Sequence, residues 1–193
     1  MFAHTQEKKM KVTMVSCFHS IGRVLLFGLL FVSPTAESDG IDPLLPFCKT
    51  VGGGSYYVGI GFCVAALGSD KRTRVDDTYE SLASIAVDLL TANVTSTAAK
   101  IDSLLQKGAA TSRRCLLACK ALYKEIAARQ PGCAAAIKNG RFKEAQANLQ
   151  KSASAAKVCE AGFRNCLVAS PVTVENDNAF ELAKLADGLL IHA

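Results

Sequence analysis

The chain has 193 residues, of which 50% are hydrophobic, and 22 Lys and Arg against 17 Asp and Glu give a formal net charge of +5 at pH 7. This mild basic excess is scattered and lacks the interleaved aromatic residues of a nucleic-acid surface, so nucleic acid is excluded as a partner. The three histidines, His4, His19 and His192, lie near the two ends of the chain, which excludes catalysis by a histidine base.

The first element is a basic stretch followed by an apolar run. Four basic residues, the last of them Arg23, precede the run 24–32, and small residues follow around Ala36. This order is typical of a secretory signal peptide, and the run is well short of the about 20 residues that span a membrane. We predict that residues 1–38 form a signal peptide, cleaved between Ala36 and Gly40, and that the chain is secreted without stable membrane association.

About 153 residues follow the leader, enough for one domain with a hydrophobic core. We predict this domain over residues 41–193. In its first part, residues 41–70, the chain is interrupted by Pro43, Pro46 and the glycines at 52–54, so only short helical pieces around a turn fit there.

Long helical patterns follow over residues 74–191. In the first of them, apolar residues recur every three or four positions and therefore share one face of a helix. Asp76 and Asp77 suit the positive end of this helix, which is predicted to end near Gly108.

The second long helix is predicted from about Ser112 to Gly140. Its apolar face includes two cysteines, and Pro131 followed by Gly132 lies within it. Proline loses a backbone hydrogen bond and clashes with the preceding turn, so we predict a kink or a short break at this point.

The third and fourth helices complete the pattern. The third runs from Phe142 through Phe163, and after the loop 168–171 Thr173 can cap the fourth. Four amphipathic helices joined by short loops predict an all-α protein, an antiparallel up-and-down four-helix bundle.

The cysteines of the long helices favour a disulfide-stapled bundle. Seven cysteines remain after the leader, so at least one is unpaired in a monomer. Cys119 and Cys159 are forty residues apart and are predicted to staple the second helix to the third. If they pair, Cys115 lies one turn below Cys119 and Cys166 two turns beyond Cys159, which makes Cys115 and Cys166 a possible third pair.

Cys133 has no partner by the same geometry. On a straight helix it lies about 27 Å from Cys115, against about 6 Å between the Cα atoms of a disulfide. We predict a buried free thiol at Cys133, unless a break at Pro131 redirects it.

The sequence offers no metal, cofactor or catalytic site. It has no Cys-x-x-Cys or His-Glu-x-x-His motif, and the pair Cys115 and Cys119 lacks two further ligands at zinc-site spacing. Arg113 and Arg114 are interpreted as a solvated helix end. We therefore expect no catalytic residue, no cofactor and no bound metal.

Asn93 begins the sequon Asn93-Val94-Thr95, the acceptor for N-glycosylation in a secreted chain. The periodicity places it within a helix. Two interpretations remain: an outward-facing, glycosylated Asn93, or an ordinary helix residue without a glycan.

These residues together resemble a known family, the plant invertase inhibitors and pectin methylesterase inhibitors. The resemblance covers the chain from about Cys48 to Leu190. It rests on the order and spacing of the following elements: Cys48 with Cys63, the segment 67–72, the helix 85–89, Cys119 with Tyr123, Cys159 with Gly162-Phe163, Ser170-Pro171, and Asn176-Asp177-Asn178.

The resemblance implies a four-helix bundle preceded by a small helical hairpin. It also implies two disulfides, one that closes the hairpin between Cys48 and Cys63 and one that joins two bundle helices. The other three cysteines are extra to the family pattern, so their pairing stays an inference from helix geometry.

The resemblance further implies an inhibitor, not an enzyme, that binds a plant cell-wall carbohydrate-active enzyme in a 1:1 complex and occludes its active-site cleft. Invertase-type members are similar in a Pro-Lys-Phe element between the second and third long helices. Gly140, Arg141 and Phe142 stand at that position, with the cation and the aromatic kept and the proline missing. The other interpretation is that Arg141 and Phe142 merely begin a helix.

The target is left open between invertase (β-fructofuranosidase) and pectin methylesterase, whose inhibitors use the faces of the bundle helices. The expected location is extracellular, in the apoplast or cell wall, with the vacuole as a further option. The alternative function is a secreted structural or signalling bundle without inhibitory activity.

Overall fold

A computed structural model describes residues 42–53, 57–108 and 111–193 of the chain. The predicted signal peptide, residues 1–38, lies outside the described residues. Within the described ranges all regular structure is helical, without a strand. The helices are α1 (Leu45–Gly53), α2 (Ile60–Gly68), α3 (Tyr79–Gln106), α4 (Arg113–Lys138), α5 (Phe142–Asn165) and α6 (Thr173–Ile191).

The four long helices form the predicted bundle. Each of α3, α4 and α5 packs against the next helix in the chain, and α6 closes the bundle against α3. α1 and α2 pack on each other as a hairpin, which contacts α3 and α6. The all-α four-helix bundle with an N-terminal helical hairpin is therefore confirmed. Its largest fully buried side chains include Leu82, Leu90, Ile101, Leu116, Tyr123, Ile126, Leu149, Phe163, Leu185 and Leu189.

The hairpin fits closely on α6 because Gly188 has no side chain. A Cβ atom built at Gly188 would lie 2.6 Å from Cγ1 of Val51 in α1, closer than packed atoms approach. A larger residue there would push the hairpin away from the bundle.

α3 is long and apolar enough, by length and composition alone, to cross a membrane. Its most apolar side chains, such as Leu82, Leu90 and Ile101, are instead buried in the bundle. The helix therefore has a partner for its apolar face within the protein itself.

Three disulfides join six of the seven described cysteines. Cys48 and Cys63 close the hairpin, with 5.6 Å between their Cα atoms. α4 and α5 are joined twice, by Cys119–Cys159 and Cys115–Cys166, with Cα separations of 4.8 and 6.7 Å.

Cys133 is the free cysteine of the described residues, and it is buried. Its Sγ lies 3.7 Å from the carbonyl oxygen of Ala145. Burial raises the pKa of the thiol to about 11, so the thiol stays protonated and unreactive at neutral pH.

One predicted helix cap, Thr173 at α6, is wrong, and the cap of α3 was not predicted. α3 is capped by Thr78, whose side chain accepts from the N–H of Ser81, while the Asp77 carboxylate accepts from the Ser81 hydroxyl. Thr173 does not cap α6, because its hydroxyl donates to a carboxylate oxygen of Glu160 instead. Several Ser, Thr and Asp side chains stand close to the starts of α3 and α6, so the sequence could not select among them.

Of the two predicted alternatives at Pro131, a kink or a short break, the break is wrong, because α4 continues through the proline to Lys138. Ile126 and Ile137, on either side of the proline, are both buried in the bundle core. Pro131 itself is exposed, so water can reach the carbonyl group that loses its bond. Packing on both sides of the proline therefore keeps the helix continuous.

α4 and α5 end in the same left-handed turn, built on different residues. Gly140 follows α4 with a φ of +68°, and Leu167 follows α5 with a φ of +57°. In each turn the backbone N–H of the next residue bonds back to a carbonyl of the helix, Arg141 to Ala136 and Val168 to Phe163. Glycine adopts this conformation freely, whereas leucine is strained by about 1–2 kcal/mol.

We expect Leu167→Gly to stabilise the fold by about 1 kcal/mol, or about 2–4 °C in Tm. The Leu167 side chain is 93% exposed, so no buried apolar contact is lost when it is removed. Gly140→Ala, whose Cβ would meet nothing within 4 Å, should destabilise by about the same amount through backbone strain alone. Thermal unfolding of both variants measures the two shifts in Tm, and shifts of the same sign would contradict the prediction.

Candidate target-binding site

The turn between α4 and α5 presents the predicted segment at one end of the bundle. α4 ends at Lys138, Gly140 makes the left-handed turn, and α5 begins at Phe142. The N–H of Gly140 bonds to the carbonyl of Ile137 at 2.9 Å. This short hydrogen-bonded connection holds Arg141 in one backbone conformation between two helices.

Arg141 is exposed at the tip of this turn. Its Nε donates to Oε2 of Glu144 at 2.9 Å, and the two side chains are 54% and 53% exposed. An exposed ion pair of this kind contributes at most about 1 kcal/mol, so an acidic partner can displace Glu144. The guanidinium group is therefore oriented and still available.

Phe142 is half-buried, and it packs against the hydrophobic core as the first residue of α5. Its ring anchors the turn on the bundle. Of the two residues that follow Gly140, only Arg141 projects into solvent. The proposed contact with a partner therefore depends on the cation, with the aromatic ring as its support.

An open groove of about 730 Å³ lies beside the turn. Its second wall is the end of α6, where Leu190 is buried and Ile191 is 66% exposed. The sequence did not predict this contribution of α6. The groove is lined by Gly140, Arg141, Phe142, Lys143, Glu144, Gln146, Leu190 and Ile191.

Asp187 lies on α6 next to this groove and is buried. Desolvation raises the pKa of its carboxyl group, which Lys184 at 3.7 Å opposes in part. Its Oδ1 has no hydrogen-bond partner within the described protein. Because the pKa of Asp187 is raised by folding, protonation of its carboxyl group stabilises the folded state. This stabilisation is complete below the ordinary pKa of 3.8. It is lost as the pH rises through the pKa of the folded state.

We expect Asp187→Asn to raise the Tm at pH 7, because asparagine stays neutral where the buried carboxylate is ionised. The difference from the wild type should shrink as the pH falls below about 4. Thermal unfolding at several pH values checks this, with Asp76→Asn, which removes an exposed carboxylate, as the control. A gain in Tm that is equal at pH 3 and pH 7 would contradict the assignment.

The motif residues of the later helices meet in the core. Tyr123 donates its hydroxyl to Oδ1 of Asn176 at 2.8 Å, and Nδ2 of Asn176 donates to Glu160 at 2.7 Å. Burial raises the pKa of Glu160, but hydrogen bonds from Asn176, Thr173 and Ser170 outweigh it and lower the pKa overall. Tyr123 and Asn176 are buried, so this network joins α4, α5 and α6 and does not face a partner.

Asn93, the predicted glycosylation acceptor, lies within α3 and is half-buried. Its Oδ1 is buried without a hydrogen-bond partner. Thr95 is exposed, and its hydroxyl donates to the carbonyl of Thr91. The sequon therefore sits on regular helix at the edge of the bundle core.

No group of three or more His, Cys, Asp and Glu side chains in the described ranges could hold a metal ion. The fold and the turn define a class of protein: a small, disulfide-stapled helical bundle with an exposed cation at the turn between α4 and α5. A family model described as plant invertase/pectin methylesterase inhibitor matches residues 47–187. The chain belongs to this family, whose members are proteinaceous inhibitors of these enzymes and not enzymes themselves. A search of curated proteins found no match.

Proposed function

We propose that this protein is a secreted inhibitor of a cell-wall carbohydrate-active enzyme, with invertase as the target that the turn supports best. It has no enzymatic activity of its own, and it occludes the active-site cleft of one enzyme molecule in a 1:1 complex. Its site of action is the apoplast or cell wall, where members of the family are typically secreted.

The observation that carries this proposal is the exposed guanidinium group of Arg141 on a short, anchored turn. Glycoside hydrolases use a pair of carboxylates in the active site. A guanidinium group pairs with such carboxylates through two parallel hydrogen bonds. A rigid turn that carries one cation therefore suits insertion into an acidic cleft.

Residue Phe142 and the wall formed by Leu190 and Ile191 supply the apolar surroundings of this cation. Hot spots of protein interfaces combine a central charged or aromatic residue with contacts that exclude water. The groove beside the turn provides such contacts. Pectin methylesterase is the second candidate target, bound through the faces of the bundle helices.

The experiment is a titration of the purified protein into cell-wall invertase and, separately, into pectin methylesterase at mildly acidic pH. We expect invertase activity to fall to zero near one equivalent of inhibitor. Inhibition of pectin methylesterase alone would move the site to the helix faces. No effect on either enzyme would favour the structural or signalling bundle.

Glycosylation at Asn93 stays a proposal. It requires the side-chain amide nitrogen to reach the surface of α3 before or during folding, since the residue is half-buried in the folded chain. A mass shift on glycosidase treatment of the secreted protein, absent in Asn93→Gln, is the expected result. A secreted protein with the mass of the bare mature chain would contradict it.

A further inference from the structure

The end of the bundle opposite the α4–α5 turn carries basic residues that the fold does not explain. We call this surface the basic end, and α4 with its 26 residues separates it from the turn by about 39 Å. It consists of the end of α3, the start of α4 and the end of α5. Its exposed cations are Lys107, Arg113, Arg114 and Arg164.

Three of the four cations of the basic end have no ion-pair partner, whereas the charge of Arg164 acts on Glu160. Lys107, Arg113 and Arg114 form no ion pair with any residue in the described ranges. Arg113 and Arg114 also occupy the first turn of α4, which contains no acidic residue. The helix dipole disfavours cations at that position, so the stability of α4 does not account for them.

The acids nearest to the basic end are already engaged. Asp102 pairs with Lys120 at 2.6 Å, and Glu175 pairs with Lys100 at 2.6 Å. Glu160 accepts hydrogen bonds from α6, as described above. The excess positive charge of this end is therefore directed outward.

Two shallow grooves flank the start of α4, and each combines one arginine with one carboxamide. The groove between α3 and α4 measures about 370 Å³, and that between α4 and α5 about 260 Å³. The first is lined by Asp102, Leu105, Gln106, Arg113, Leu117 and Lys120. The second is lined by Arg114, Cys115, Ala118, Gly162, Asn165 and Cys166.

We propose that the basic end binds an acidic polysaccharide of the polyuronate class. Arg113 and Arg114, one in each groove, pair with carboxylates of the same polyuronate chain, since the guanidinium fork matches a planar carboxylate. Gln106 and Asn165 donate to and accept from sugar hydroxyls, because a carboxamide can do both. Leu117, 48% exposed, offers an aliphatic contact for the apolar face of a sugar ring.

Other polyanions and partners fit this surface less well. No aromatic residue lines either groove, so bases of a nucleic acid have nothing on which to stack. Leu105 and Leu117 are the only large apolar residues among the lining side chains, too few for the core of a protein interface. A flexible chain with one carboxylate per sugar and many hydroxyls matches the arginine and carboxamide pairs.

The two sites can act together, because the turn and the basic end lie at opposite ends of α4. An inhibitor inserted into an enzyme by its turn keeps the basic end free to hold the complex on a polyuronate matrix. Binding of polyuronate itself does not depend on the proposed inhibition, so either can fail while the other stands.

The test measures binding of the full mature protein to soluble polygalacturonate by affinity electrophoresis at low ionic strength, with fully methyl-esterified pectin as the uncharged counterpart. We expect retardation by polygalacturonate only. Arg113→Gln/Arg114→Gln should weaken it by about tenfold, because two solvent-exposed ion pairs of modest strength are lost. The control, Lys49→Gln/Lys151→Gln, removes the same charge from exposed positions elsewhere and should bind like the wild type.

Three results would overturn the proposal. They are equal weakening by the control variant, equal retardation by methyl-esterified pectin, or no retardation of the wild type. Dextran sulfate at equal charge should bind less tightly than polygalacturonate, and equal or tighter binding is a fourth result that would overturn the proposal, because the surface would then be a general polyanion site. An unchanged circular dichroism spectrum and Tm confirm that the variants are folded.

Discussion

Removal of both disulfides between α4 and α5 is expected to destabilise the protein by about 7 kcal/mol, the largest effect of any change considered. Cys115–Cys166 closes a loop of 51 residues, which corresponds to about 4 kcal/mol of chain entropy. Cys119–Cys159 lies inside that loop. Once the outer disulfide is closed, the inner disulfide closes a loop of only roughly a dozen residues and adds about 3 kcal/mol to the free energy of unfolding.

The same nesting predicts the single-bridge variants. Cys119→Ala/Cys159→Ala alone should cost about 3 kcal/mol, because the outer bridge still holds α4 to α5. Natural domains are stable by about 5–15 kcal/mol, so loss of one bridge is tolerated and loss of both brings the fold near its limit. Urea unfolding of the three bridge variants, with Cys133→Ala as a control outside the bridges, measures these values. A fourfold alanine variant no less stable than a single-bridge variant would contradict the account.

The second large effect concerns Arg141. We expect Arg141→Ala to raise the inhibition constant for invertase by roughly 30-fold or more, since a central cation at an interface contributes about 2 kcal/mol or more. Arg141→Lys should recover only part of the loss, because lysine keeps the charge but lacks the planar fork. Stability should not change, as the side chain is exposed and its ion pair with Glu144 is weak.

The matched control for this prediction is Lys138→Ala. Lys138 is an exposed cation at the end of α4, outside the groove beside the turn. Equal loss of inhibition in Arg141→Ala and Lys138→Ala would indicate attraction by net charge and not insertion of the turn. Inhibition that is insensitive to both variants would place the contact on another face of the bundle.

Helix number, order and approximate bounds followed from the sequence because the apolar periodicity is local information. The caps did not, because Thr78, Asp77 and Ser81 all lie within one turn and all can accept from a backbone N–H. The break at Pro131 was wrong for a different reason. The free energy that Pro131 costs α4 is offset by packing against buried residues of other helices. A local sequence pattern does not contain those contacts.

The site was predictable only in part. Gly140 and Arg141 could be placed at a helix connection from spacing and resemblance, whereas the wall formed by Leu190 and Ile191 comes from α6, about fifty residues later. The basic end likewise joins Lys107, just after α3, with Arg113 of α4 and Arg164 of α5. From the sequence, Arg113 and Arg114 could be interpreted only as a solvated helix end. Their lack of ion-pair partners and the grooves beside them are properties of the packed bundle.

The central claim is that the protein inhibits by occupying the active-site cleft through the Arg141 turn. The most direct measurement is the inhibition constant for invertase at increasing sucrose concentration. We predict competitive inhibition, in which the apparent constant rises in proportion to substrate and the maximal rate is unchanged. An apparent constant that is independent of sucrose would contradict occlusion of the cleft.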